Sequence, residues 1–187
     1  MANVWNVPNT LSAARIVMAV LCFAGLELGF VWAALALYVV ATATDWLDGY
    51  WARKYGQVTQ LGRILDPFAD KLLVCGAFVY LAAAPGLGVA PWMAVVVLSR
   101  ELLVTALRSF VEGSGGDFSA KWVGKWKMAL QCAAIIIGLI LMALPTPPVE
   151  WLRMAFLASL WGAVAITLYS GVVYVQAVVA FARGGGR

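Results

Sequence analysis

The sequence predicts an all-α integral membrane protein with six transmembrane helices, and three observations lead there. Its 187 residues are 64% hydrophobic with a mean hydropathy of +0.90, well above the balance of a soluble domain. The apolar residues form runs of roughly 20, the length that crosses the hydrocarbon core of a bilayer. The connections near Gly29, at Pro85–Pro91 and at Leu144–Glu150 contain no Lys or Arg. Arg53, Lys54, Arg63, Lys121, Lys125, Lys127, Arg183 and Arg187 all fall on the other side of the membrane. By the positive-inside rule, both termini are then cytoplasmic.

The segment Met1–Thr10 contains Trp5, Val7 and Pro8 and reads as a short interfacial entry, with Asn9 or Thr10 capping the first long helix. The spans follow as Leu11–Gly29, Phe30–Trp51, Gly62–Ala84, Trp92–Val111, Lys121–Leu144 and Trp151–Phe181. Pro85–Pro91 breaks the chain before the fourth span, and Pro145, Pro147 and Pro148 stop the fifth. Trp5, Trp51, Trp92, Trp122 and Trp151 lie near span ends, as interface anchors do. No linker or repeat divides the chain, so a single membrane domain over 1–187 is expected. The net charge of +4 belongs to this topology and does not point to nucleic acid. Cys22, Cys75 and Cys132 are scattered singly in apolar runs, as buried inert thiols rather than a disulfide framework. The first ten residues carry no Lys or Arg, so no cleaved signal peptide is expected.

Within this apolar chain, four of the nine acidic residues sit between Asp45 and Asp70. Ionisable groups at bilayer depth are costly and mark function. At about 100° per residue, Asp45, Asp48, Gly49, Ala52 and Arg53 share one helical stripe, and Gly62, Asp66 and Asp70 form a second. Two antiparallel helices would bring these stripes face to face, the glycines allowing close approach. Facing carboxylates repel unless cations lie between them. The chain has no histidine, and carboxylate oxygens alone suit magnesium, manganese or calcium. Two such ions clamped by shared carboxylates serve displacement at phosphorus, and Arg53 suits phosphate oxygens. A carboxylate not needed for the metals, Asp66 or Asp70, can take a proton from an attacking hydroxyl. A proton or ion relay, as in an ion-coupled transporter, is the other reading of the same acids.

The pattern Asp45-x2-Asp48-Gly49-x2-Ala52-Arg53-x8-Gly62-x3-Asp66-x3-Asp70 resembles the signature of the CDP-alcohol phosphotransferase family, with eight fixed positions over 26 residues. The resemblance implies two Mg2+ or Mn2+ ions held by Asp45, Asp48, Asp66 and Asp70, with Asp70 as general base. It implies a CDP-linked lipid bound at Asp45, Asp48, Gly49, Ala52, Arg53 and Gly62. A Pro8-Asn9-x-Leu11-x3-Arg15 box adds Asn9 and Arg15 at the nucleotide, although capping and snorkelling explain these two equally well.

Arg100 and Arg108 lie on one face of the fourth span, and Glu101, two turns before Arg108, is placed to orient it. Lys121 and Lys125 share a face four residues apart, with Lys127 beyond. Arg108 and Lys125, with Arg100 and Lys127, suit a phosphate on an acceptor alcohol. The Arg-Glu-x6-Arg and Gly-Lys-x-Lys blocks resemble the branch of the family that moves a phosphatidyl group from CDP-diacylglycerol to glycerol 3-phosphate. Met128 departs from that branch, where Thr is expected, and puts a contact near the acceptor in question. Phosphatidylglycerol and inositol phosphate are the rival acceptors. The resemblance also implies a homodimer among membrane lipids in a bacterial inner membrane, and the positive-inside rule turns the aspartate site to the cytoplasm.

Overall fold

The computed structural model describes residues 7–55, 62–113, 122–144 and 150–184, with the side chains of 7–8, 45–55, 63 and 184 outside the description. The described residues form six helices in order: α1 Val7–Glu27, α2 Val31–Tyr55, α3 Gly62–Ala83, α4 Pro91–Gly113, α5 Trp122–Ala143 and α6 Glu150–Gly184. No strand occurs among the described residues. Among the described residues three stretches are long and apolar enough to cross a membrane by length and composition: Asn9–Glu27, Trp122–Ala143 and Glu150–Arg183. In α2 the described apolar stretch is Val31–Thr44.

The N-terminal expectation needs correcting. Among the described residues α1 already runs from Val7, so Asn9 and Thr10 lie inside the helix and do not cap it. At its other end α1 closes in a Schellman turn: the Phe30 N–H donates to the Gly25 carbonyl at 2.7 Å and the Gly29 N–H to that of Leu26 at 3.2 Å. Gly29 has φ of 80°, which a residue with a Cβ adopts only under strain.

Helix α1 lies across α2 and α3, while α6 lies across α4 and α5. The two halves join where α3 meets α4 and α5, and where α2 meets α5. The expected face-to-face pairing of α2 and α3 involves Asp45–Arg53, whose side chains lie outside the description, and α1 packs against both helices. Between lipid-exposed helices the hydrophobic effect contributes little, so association depends on close packing. The core accordingly includes Ala19, Ala34, Ala41, Ala77, Ala134 and Ala163, with Tyr38, Phe78, Leu81 and Phe156 filling the space between them. Outward-facing Trp32, Trp92, Trp122 and Trp151 are exposed, an apolar surface that suits lipid rather than water.

Gly138 marks a close junction of this core. A Cβ built there would lie 2.7 Å from Leu81 on α3 and 2.9 Å from Phe156 on α6. Gly138→Ala is expected to force these helices apart and cost about 1–3 kcal/mol, as overpacking does. A lowered thermal midpoint in detergent, with the helical circular dichroism of the cold protein unchanged, is the measurement that checks it.

Candidate active site

The buried face of α1 changes character along its length. Asn9, Ser12 and Arg15 come first, then Ala19, Cys22 and Leu26. All six are buried, spaced three or four apart as one helical face requires. Arg15 is only 1% exposed, so the snorkelling explanation fails: its side chain points into the bundle. The polar end of this stripe meets the acidic start of α3, where the Ser12 hydroxyl donates to the Asp66 carboxylate. Asp66 and Asp70, one turn apart on α3, are both partly buried. Asn9 is 3% exposed, and Gly62 is buried at the start of α3.

Asp45, Asp48, Gly49, Ala52 and Arg53 belong to the last turns of α2, and their side chains lie outside the described residues. Among the described residues no group of three or more His, Cys, Asp or Glu side chains forms a cation site. The donor chemistry is nevertheless that of a hard divalent cation. Asp66 and Asp70 supply only carboxylate oxygens, and one of those carboxylates is held by a hydroxyl, as ligating carboxylates commonly are.

On the other side of Asp70, α3, α4 and α5 enclose a cavity of about 70 Å3. Asp70, Lys71, Glu101, Lys127, Met128 and Gln131 are among its walls. Lys71 turns back to its own helix and donates to the Pro67 carbonyl at 3.2 Å. Glu101 does not orient Arg108 as expected. It accepts instead from Lys127 across the α4–α5 interface and from Arg100 Nη1 at 3.3 Å. One-helix spacing could not reveal this pairing, because one partner is adjacent in sequence and the other is on another helix.

The four basic candidates thus separate. Lys127 is 8% exposed and lines the cavity. Arg100, equally buried, is not among the cavity's walls: its Nε donates to Ser170 Oγ at 3.0 Å and its guanidinium lies 5.3 Å from the Tyr174 ring centre. Lys125 is on the exposed side of α5, its ammonium 5.3 Å from the Trp122 ring centre. Arg108 is half-buried, and its buried Nε has no hydrogen-bond partner among the described residues. Met128 lines the cavity, so the departure noted in the sequence falls beside Asp70 and Lys127.

Ser12, Lys71, Gln131 and Ser170 were missed by sequence reasoning. For Ser12 the available signal was its position three residues from both Asn9 and Arg15. Gln131 donates from Nε2 to Thr167 Oγ1 at 3.2 Å, tying a second cavity wall to α6.

Ser12→Ala removes the donor on Asp66. Loss of a partner behind a metal-binding carboxylate typically costs about 10–100-fold in affinity. Mn2+ titration of the purified protein, followed by electron paramagnetic resonance, is expected to show a weakening in that range.

Residues 5–181 match the family described as CDP-alcohol phosphatidyltransferase. The chain is 36% identical to a CDP-diacylglycerol–glycerol-3-phosphate 3-phosphatidyltransferase of Bacillus subtilis, over 91% of this chain and 93% of the relative. A protein of the same name from Pseudomonas fluorescens is 34% identical over 97% of this chain and 94% of its own length. A third, from Yersinia enterocolitica, is 30% identical over 92% of this chain and 94% of its own.

Proposed function

The chain belongs to the CDP-alcohol phosphatidyltransferase family, and from that premise we propose that it moves the phosphatidyl group of CDP-diacylglycerol onto glycerol 3-phosphate in phospholipid biosynthesis. The observation that carries the choice of acceptor is the cavity where Asp70 and the buried Lys127 face the same space. A carboxylate there can accept a proton, and an ammonium there can hold a phosphate. The similarity to relatives named for this reaction, over nearly their whole length, supports the same choice.

In this reading Asp45, Asp48, Asp66 and Asp70 would hold two Mg2+ or Mn2+ ions. When bound, such ions neutralise the diphosphate of the donor and the charge on departing CMP. The residues of the chain do the remaining work. Arg53 contacts the donor phosphates in a bidentate fork, and Gly49, Ala52, Gly62 and Asn9 border the nucleotide. Asp70 accepts the proton of the primary hydroxyl of glycerol 3-phosphate. That oxygen bonds to the lipid-side phosphorus as the bond from this phosphorus to the CMP oxygen breaks. Lys127 holds the acceptor phosphate, with Arg108 and Lys125 toward the cytoplasm.

The proposal extends to the membrane arrangement. All six helices span, as one domain over 1–187, with both termini and the site on the cytoplasmic side of a bacterial inner membrane. The absence of Lys and Arg from the connections near Gly29, at Pro85–Pro91 and at Leu144–Glu150 supports this orientation. The assembly is a homodimer by its resemblance to the family.

Detergent-purified protein given CDP-diacylglycerol and Mg2+ is expected to release CMP with glycerol 3-phosphate, and not with phosphatidylglycerol or inositol phosphate. Asp70→Asn should lower that release by at least ~100-fold, the lower range for losing a general base. Release with another acceptor only would overturn the assignment of the cavity. No release with any acceptor would return the acids to the relay reading.

A further inference from the structure

Helix α6 supplies no wall of the cavity beside Asp70, yet it holds two residues of the cavity's surround. Thr167, Ser170, Gly171 and Tyr174 fall at i, i+3, i+4 and i+7, one face of an otherwise apolar helix. Ser170 accepts from Arg100 Nε, the Tyr174 ring lies against the same guanidinium, and Thr167 accepts from Gln131. Gly171 lies beside the same side chain: a Cβ there would make ordinary contact with Arg100 Cγ at 3.5 Å. Arg100 in turn reaches Glu101, and Glu101 takes Lys127.

The three charged groups are 8%, 6% and 8% exposed for Arg100, Glu101 and Lys127, so their charges are scarcely screened by water. Glu101 and Lys127 alone would make a neutral pair, its ammonium committed to the carboxylate. With Arg100 added, the cluster carries one net positive charge, and Lys127 is the member that lines the cavity. We propose that the Ser170–Tyr174 face of α6 positions Arg100 to offset the charge of Glu101, so that the positive charge Lys127 brings to the cavity is left unbalanced for the phosphate of the acceptor. Ser170 and Tyr174 are positioning residues in this scheme, acting through Arg100 and Glu101. The inference rests on the reading of the cavity as the acceptor site and deepens it: the last helix sets selectivity for a phosphorylated alcohol without touching it.

Steady-state kinetics of the full-length protein test it. The wild type, Ser170→Ala, Ser170→Thr and the double variant Ser170→Ala with Tyr174→Leu are compared in one detergent. Glycerol 3-phosphate and CDP-diacylglycerol are varied in turn, and glycerol serves as the acceptor without a phosphate. The double variant is expected to raise KM for glycerol 3-phosphate by about 10-fold, the loss of one modest charge-assisted interaction. Its KM for CDP-diacylglycerol and its rate with glycerol should stay within about twofold, a split that general loosening of the bundle would not produce. Ser170→Ala alone should move the same way by less, and Ser170→Thr should restore the wild-type value. An unchanged KM for glycerol 3-phosphate in the double variant, or an equal loss with glycerol and glycerol 3-phosphate, overturns the inference. If the double variant does not fold, the Ser170→Ala and Ser170→Thr pair decides by the same criteria. A wild type that releases no CMP with glycerol 3-phosphate instead overturns the acceptor reading beneath it, so the two failures are told apart.

Discussion

Glu101 is a carboxylate removed from water between helices, and much of the arrangement around the site follows from what it costs to keep it there. A buried ion is tolerated only where opposite charge and hydrogen bonds surround it, and removing a partner from a buried pair costs about 3–5 kcal/mol. Arg100 and Lys127 meet that demand from two helices, and Ser170 holds Arg100 from a third. One carboxylate therefore fixes how α4, α5 and α6 stand against one another. The same constraint leaves Lys127 at the wall it shares with Asp70.

The opposite end of the site is organised differently. There α1 packs on both α2 and α3, with Asn9, Ser12 and Arg15 on its buried face and Ser12 donating to Asp66 at the start of α3. In this account the donor nucleotide and its cations belong to the α1–α2–α3 side, and the acceptor to the α3–α4–α5 side. Asp66 and Asp70 sit at the boundary because α3 is the helix that both halves share. A single turn of α3 thus has one carboxylate held by Ser12 and the next facing the cavity.

The helices were legible in the sequence because apolar runs of membrane length end at Gly and Pro clusters. The third span, read as Gly62–Ala84, is the helix Gly62–Ala83, and the sixth, read as Trp151–Phe181, is Glu150–Gly184. The acidic motif was legible because charge is conspicuous in an apolar chain. Contacts between helices were not, since spacing along one helix cannot say which neighbour a face will meet. Glu101 was assigned to Arg108 on that spacing, whereas its partners are Arg100 and Lys127. Ser12 and Ser170 were silent for a related reason: a lone hydroxyl in an apolar helix carries little signal until the buried group it bonds is known.

The central claim is that Lys127, beside Asp70, reads the phosphate of the acceptor alcohol. The most direct measurement is the ratio of kcat/KM for glycerol 3-phosphate to that for glycerol, in the wild type and in Lys127→Gln. The account predicts that this ratio falls by roughly 10–150-fold, the equivalent of a charge-assisted hydrogen bond, while the rate with glycerol is largely kept. A Lys127→Gln protein that loses activity equally with both acceptors, or keeps the full ratio, would contradict it.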